Sequence, residues 1–238
     1  PEQKVYQFGF YQKNSHTIVN MQHCPMQTDL QNEILLWSQQ QQTQDFGLRY
    51  LVLRENNVEA KLQAVLVISQ ISEQAKSFAT ALFHQFEAID EIWFNLNSSN
   101  GNAILSSDFE LFAKRNAFTQ TLFNKSMQAK PVAFFQIHKS QTNVLCQTVS
   151  NLITEHSESH LLDLFCGVGV YSFLLADKFS KITAIDFDAQ NIFSAKETGK
   201  NLSHLEFICD RAENLTQYLH QKITHVILNP PRKGVDGS

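Results

Sequence analysis

Apolar and polar positions follow two patterns in turn along this chain. From about residue 5 to residue 127, short β-like runs are separated by two amphipathic segments. Residues 48–53, rich in Leu, Val and Tyr, follow Gly47, and residues 61–69 and 91–97 are further runs of this kind. Asn100-Gly101 is a hairpin-type turn signal, and the strands of this part read as antiparallel. One helix is predicted to start after Thr28, at Asp29-Leu30-Gln31. A second covers residues 72–87, where Ala75, Phe78, Ala79, Leu82, Phe83 and Phe86 recur at helical spacing.

After Lys130-Pro131 strands and helices alternate strictly. Helix 139–154 leads in, followed by strand 161–165, helix 170–177, strand 182–185, helix 189–199, strand 205–208, helix 212–219 and strand 225–228. Such alternation predicts an α/β fold with a doubly wound parallel sheet. The expected organisation is an α+β domain over residues 1–130 and, over 131–238, the front half of a doubly wound domain that is C-terminally incomplete.

Composition narrows the classes. The chain is 43% apolar and 18% charged, as in an ordinary globular protein. No apolar run approaches the roughly 18 residues of a membrane helix, so no membrane partner is expected. Pro1-Glu2-Gln3-Lys4 has no apolar segment of a secretory signal. The four cysteines (Cys24, Cys146, Cys166 and Cys209) show neither paired spacing nor a zinc pattern, which fits a reduced, cytoplasmic setting. Net charge is -4, with 10 basic and 12 acidic residues up to Lys130 and 9 and 11 after it. Neither part is a basic module, so any contact with nucleic acid must come from a local patch or from outside this chain.

Four places in the second part carry candidate chemistry. Leu162-Asp163-Leu164-Phe165-Cys166-Gly167-Val168-Gly169 runs from a buried strand into a tight turn that opens a helix. Gly167 and Gly169 let the backbone bend and approach a ligand; Ser172 stands where a dinucleotide-binding loop has its third glycine. Asp163 lies within the strand itself, where a carboxylate needs a polar partner. Asp186 ends the next strand, 19 residues after Gly167, where a carboxylate can accept from both hydroxyls of a ribose. That role is favoured over helix capping, for which Asp188 competes. Asp210 follows the third strand; an adenine amino group and a helix N-cap are equal readings there. Asn229-Pro230-Pro231-Arg232-Lys233-Gly234 follows the fourth strand, and its prolines fix the chain as Asn229 meets the crevice at the strand ends.

Together these motifs resemble class I methyltransferases, and their finer spelling is similar to the RNA (uracil-5-)-methyltransferase family. Phe134-Phe135-Gln136-Ile137, the loop 163–169, the segment 229–234 and the stretch from Gly9-Phe10-Tyr11 to Cys24-Pro25 carry the resemblance. It implies transfer of a methyl group from S-adenosylmethionine to C5 of a uracil in rRNA or tRNA, with rRNA preferred. No protein partner is implied. The resemblance would place Gln136, Asp163, Phe165, Gly167, Gly169, Asp186, Asp210 and Asn229 at the cofactor. Asn229 and Arg232 would meet the substrate. Residues 1–130 would contribute RNA contacts. Cys24 matches a cysteine that in some relatives is one ligand of a [4Fe-4S] cluster; a small buried thiol is the equal alternative.

The sequence departs from the family in three respects. Asn229 stands where the family has Asp, and Val170 where it often has Asn. The family's nucleophilic cysteine and carboxylate base, which add to C6 and remove the C5 proton, are expected beyond Ser238. The 238 residues alone are therefore expected to be inactive. Two alternatives remain: a methyltransferase acting on an exocyclic amino group of RNA or DNA, which Asn229 would suit, and a catalytically silent RNA-binding module.

Overall fold

The computed structural model describes residues 4–230 and 234, apart from 16, 44, 57, 100, 102, 123–124, 129, 132–138, 154–157 and 219–221. The chain divides into two compact units, Pro1–Phe118 and Thr119–Ser238.

In the first unit, β1 (Lys4–Val5) is followed by the hairpin of β2 (Gly9–Tyr11) and β3 (Ile18–Asn20), then α1 (Asp29–Gln40) and β4 (Gln42–Thr43), which pairs with β1. The remaining elements are β5 (Leu48–Glu55), β6 (Leu62–Ile68), α2 (Glu73–Gln85), β7 (Ile89–Leu96) and β8 (Phe109–Lys114). Both helices begin where their caps dictate. Thr28 and Gln31 form a capping box, each side chain accepting the other's backbone N–H, and Ser72 accepts from the N–H of Ala75.

The sheet runs β5-β6-β7-β8. Its outer pairs are antiparallel, but β6 and β7 are parallel, which corrects the expectation of an antiparallel first part. The physical reason is α2: a helix between two strands is a crossover, and a crossover returns the chain in the same direction. Leu62, Ala64, Leu66 and Ile68 of β6 pack with Ala75, Phe78, Ala79 and Leu82 of α2 in the core. Asn100-Gly101 is no two-residue hairpin either, since Asn95 of β7 pairs with Phe109 of β8 across a longer connection. The Asn97 amide holds that connection by donating to the carbonyls of Ala103 and Ile104. Asn100 itself lies outside the described residues.

The second unit contains β9 (Thr119–Leu122), β10 (Lys125–Gln128), α3 (Lys139–Leu152), β11 (His160–Leu164), α4 (Val170–Leu174), β12 (Lys181–Asp186), α5 (Ala189–Gly199), β13 (Leu205–Cys209) and β14 (His225–Leu228). The hairpin β9–β10 belongs here, so the division falls before Thr119 rather than near Lys130. Met127 explains this: it is buried in one cluster with Phe173, Ile192, Ala195 and Phe207. The expected helix 170–177 is shorter. It gives way to a 3₁₀ turn, Ala176–Lys178, and Lys178 turns back to donate to the carbonyls of Ser150 (2.6 Å) and Ile153 (3.1 Å) at the end of α3. The segment Ala212–Tyr218 is likewise 3₁₀.

The sheet is wholly parallel, in the order β13-β12-β11-β14. The chain winds outward from β11 to β12 and β13, then returns to the other side of β11. Strand order therefore reverses beside β11, and the C-terminal ends of β11, β12 and β14 frame the crevice where such sheets bind ligands. Among the described residues, no helix is long and apolar enough to cross a membrane.

Candidate active site

The β11–α4 turn combines three residues in the left-handed region: Phe165 (φ 59), Gly167 (φ 56) and Gly169 (φ 85). The two glycines serve different ends. A Cβ on Gly169 would lie 2.8 Å from the Phe207 ring and 3.0 Å from the Phe173 ring, whereas a Cβ on Gly167 would meet nothing within 4 Å. Gly169 thus lets α4 seat against the aromatic pair Phe173–Phe207, whose ring centroids are 5.4 Å apart. Gly167 leaves open space at the strand ends. Phe165 is a bulky residue in a conformation costing on the order of 1–3 kcal/mol, a strain concentrated where ligands bind.

Asp186 anchors the turn. Its Oδ2 accepts the Gly167 N–H at 2.9 Å; its Oδ1 accepts the Asp188 N–H at 2.9 Å and the Asn191 amide at 3.4 Å. A carboxylate offers about four acceptor positions, so capacity for one more donor remains. Asp188 is the N-cap of α5, accepting from the N–H groups of Gln190 and Asn191. The two competing roles are therefore divided: Asp188 caps, and Asp186 stands at the crevice.

Asp163 is buried beneath the turn. Its Oδ2 accepts from the Ser172 hydroxyl at 2.7 Å, while its Oδ1 has no partner among the described residues. Burial pushes its pKa up to about 7, against the lowering effect of the Ser172 hydrogen bonds. Ser172, at the place of a third glycine, thus supplies the polar partner that an acid in this strand requires.

Asp210 is occupied locally. It accepts from the backbone N–H of Arg211 (2.7 Å), the amide of Asn214 (2.8 Å) and the hydroxyl of Tyr218 (2.6 Å). These donors, Tyr218 first, hold its carboxyl below the usual range. Its backbone N–H donates to the Asp186 carbonyl, which keeps it beside the site. Asn229 follows β14 and is exposed, with its N–H 3.5 Å from the Leu164 carbonyl. The parallel ladder thus brings Asp163, Phe165, Gly167, Gly169, Asp186, Asp210 and Asn229 to one edge of the sheet. Gln136 and Arg232 lie outside the described residues.

One residue at this edge escaped the sequence reading. Phe187, directly after Asp186, is 68% exposed. Its carbonyl accepts from the Cys209 thiol, which ties the ends of β12 and β13 together. The available signal was an aromatic residue immediately beyond a strand-ending acid.

The thiols divide clearly. Cys24, Cys146 and Cys166 are buried and Cys209 is exposed, all unpaired. Burial raises the Cys146 thiol and, with Asp163 and Asp186 nearby, pushes Cys166 well above its ordinary range, so neither is an activated nucleophile. Cys24, in the first unit, sits in a loop whose N–H and carbonyl are both held by the side chain of Asn32. Among the described residues no group of three or more His, Cys, Asp or Glu could hold a metal ion. Cys24 offers a [4Fe-4S] cluster a single ligand where four are needed, so the described residues do not fit that group.

Residues 138–236 match the model of the methyltransferase small domain family. The chain is 28% identical over 96% of its length to a protein of Thermosynechococcus vestitus named as an RNA methyltransferase, of which it covers 54%. It is 23% identical over 96% of its length to one of Streptococcus mutans with the same kind of name, of which it covers 53%. The chain thus spans about half the length of the curated relatives it matches. Among solved structures, the tRNA (uracil-54, C5)-methyltransferase of Pyrococcus abyssi, in complex with S-adenosyl-L-homocysteine, superposes with a TM-score of 0.73. That match is at 21% identity and covers 94% of this chain and 57% of the other. The likeness shows that the doubly wound unit has the class I methyltransferase fold. Over nearly its whole length the chain is thus similar to proteins named as RNA methyltransferases, and its doubly wound unit matches a methyltransferase family model.

Proposed function

We propose that this chain binds S-adenosylmethionine at the β11–α4 turn and belongs to an enzyme that methylates C5 of a uracil in rRNA or tRNA. The observation that carries the cofactor reading is the pairing of Gly167 with Asp186: an open, left-handed glycine whose N–H is held by the carboxylate ending the next strand. When bound, the sulfonium cofactor supplies an electrophilic methyl group. Asp186 accepts from a ribose hydroxyl with its spare acceptor capacity, and the exposed Phe187 ring offers a face to the adenine. Asp163, whose pKa burial raises to about 7, is only partly ionised at neutral pH, which lessens the negative charge beneath the turn. Asp210 contributes by tying the Ala212–Tyr218 segment to the site rim, its carboxylate being already engaged.

The uracil assignment rests on the residue-level resemblance given above and accords with the activity named for the Pyrococcus abyssi protein. Asn229 at the tip of β14 presents an amide whose oxygen can accept from uracil N3–H and whose NH2 can donate to a carbonyl. No thiol of this chain is assigned the part of nucleophile to C6. The curated relatives are about twice as long, and nucleophile and base are sought in that additional length.

Calorimetry with S-adenosylhomocysteine tests the site: binding is expected, and its absence in the folded full-length protein would remove the assignment. Mass spectrometry of digested RNA from cells with and without the gene tests the target. Loss of 5-methyluridine is expected. Loss of a base methylated on an amino group, with 5-methyluridine unchanged, would favour the alternative that Asn229 suits.

A further inference from the structure

The hairpin of β2 and β3 exposes apolar residues on both faces. Phe10 pairs with Val19 and Tyr11 with Ile18, so each pair shares one face, and all six strand residues are exposed. Phe10 is 65% and Tyr11 54% exposed. The hairpin is nonetheless anchored at its base. The Phe8 N–H donates to Asn20 Oδ1 and the Met21 N–H to the Phe8 carbonyl. Gln39 of α1 donates to Asn20 Oδ1 at 3.0 Å and to the Met21 carbonyl at 2.7 Å. A well-anchored element that displays aromatic rings to water on both sides is costly unless something covers it.

The neighbouring chemistry indicates what that is. The Tyr11 hydroxyl hydrogen-bonds to the side chain of Tyr50 on β5. The Arg49 guanidinium lies 5.7 Å from the Tyr50 ring centroid and is fixed by donating to the carbonyls of Asn97 and Ser99. Tyr11, Arg49 and the half-buried Tyr50 thus form one surface group of two phenol rings and a held cation. The charge pattern agrees. In a chain with 23 acidic residues, none lies between Glu2 and Asp29, the stretch that includes the hairpin and Lys13 at its turn. None lies between Asp45 and Glu55, the stretch of Arg49 and Tyr50. Against an overall charge of -4, these two stretches carry the cations Lys13 and Arg49 and no acid of their own. Aromatic rings beside a fixed guanidinium suit stacked unpaired bases with phosphates alongside. A protein partner with an apolar face would not need the held arginine.

We propose that the Tyr11 face of this surface, formed by Tyr11, Ile18, Arg49 and Tyr50 with Lys13 at the hairpin turn, is a stacking platform for unpaired nucleotides of the RNA substrate. The inference rests on the reading of the chain as part of an RNA-modifying enzyme, and it assigns single-stranded rather than duplex RNA to the first unit.

Fluorescence anisotropy with a labelled 12-nucleotide single-stranded oligoribonucleotide, using the duplex of the same sequence as competitor, tests it. Tyr11→Ala is expected to weaken single-strand binding by about 5- to 150-fold, the range for one lost stacking contact, whereas Phe10→Ser, on the opposite face of the hairpin, should bind within about twofold of the parent. Tyr11→Phe, which keeps the ring, should bind within about twofold of the parent, and duplex should compete poorly. S-adenosylhomocysteine affinity and the circular dichroism spectrum, unchanged in all three variants, establish that the fold is intact. Parent-like RNA binding by Tyr11→Ala, or an equal loss in Phe10→Ser, would overturn the platform while leaving the methyltransferase reading in place. A parent protein that binds neither RNA form would overturn that reading as well. A dimer in sizing that Tyr11→Ala converts to monomer would identify the surface as a self-association face and overturn the proposal.

Discussion

Gly167 and Gly169 sit two residues apart in the same turn, and replacing each by alanine should have opposite consequences. Both have positive φ, so either alanine pays a left-handed penalty of about 1–2 kcal/mol. Only at Gly169 is there also a collision. The new Cβ would stand 2.8 Å from Phe207 Cε1 and 3.0 Å from Phe173 Cε2, both rings belonging to a buried cluster that includes Met127 and Ile192. Neither ring is the loose end of a flexible chain, so an overpacking cost of about 1–3 kcal/mol is added. Gly169→Ala should therefore destabilise the second unit by about 2–5 kcal/mol, and Gly167→Ala by only about 1–2 kcal/mol. Cofactor affinity should order the other way. The Cβ of Gly167→Ala enters space that is open at the strand ends, where the ligand's own atoms are proposed to lie, and S-adenosylhomocysteine binding should fall at least about tenfold, or about 1.4 kcal/mol. Gly169→Ala should bind close to normally wherever it remains folded. Urea denaturation followed by circular dichroism, with hydrogen exchange of the β11 and β12 amides, measures the first quantity, and calorimetry measures the second. Equal destabilisation by both variants, or parent-like affinity in Gly167→Ala, would refute the division of labour between the two glycines.

The neighbouring acids offer a similar contrast. Asp186→Ala should weaken S-adenosylhomocysteine binding by about 1.5–3 kcal/mol by calorimetry, whereas Asp188→Ala should cost about 0.5–2 kcal/mol of stability by urea denaturation, with little change in affinity. Asp163 predicts a pH dependence. Its folded-state pKa of about 7 lies above the ordinary 3.8, so the folded chain holds this proton more tightly than the unfolded chain, and stability falls as pH rises from about 4 to about 7. Asp163→Asn removes that titration, so its stability relative to the parent should improve between pH 5 and pH 8 in paired urea titrations; a constant difference would contradict the buried, proton-holding carboxyl. Lys178→Met deletes the donor to the last carbonyls of α3 and should cost about 1–2 kcal/mol, less than the full value of charged hydrogen bonds because the ammonium is only half-buried; protection of the α3 amides in hydrogen exchange should fall with it.

Local chemistry was readable in the sequence wherever one segment suffices to decide it. Thr28 with Gln31, and Asp188 before α5, set helix starts through hydrogen bonds spanning two or three residues. The β11–α4 turn was legible because only glycine takes such backbone cheaply, and the parallel sheet because its strands alternate with helices. What depends on partners far along the chain was not legible. The parallel pairing of β6 and β7 required reading α2 as a crossover rather than as an insertion between antiparallel strands. Met127 assigns its hairpin to the second unit by packing against Phe173 and Phe207, residues that no local pattern connects to it. Asp163, Asp186 and Asp210 look alike as acids at successive strands, and tertiary contacts alone separate them. Asp163 is shut beneath the turn with Ser172, Asp186 holds Gly167 with an acceptor position to spare, and Asp210 is engaged by Arg211, Asn214 and Tyr218. The strained backbone of Phe165 and the exposure of Phe187 belong to the same class. Burial and strain come from the whole set of packed neighbours, and the order of residues along one strand does not contain them.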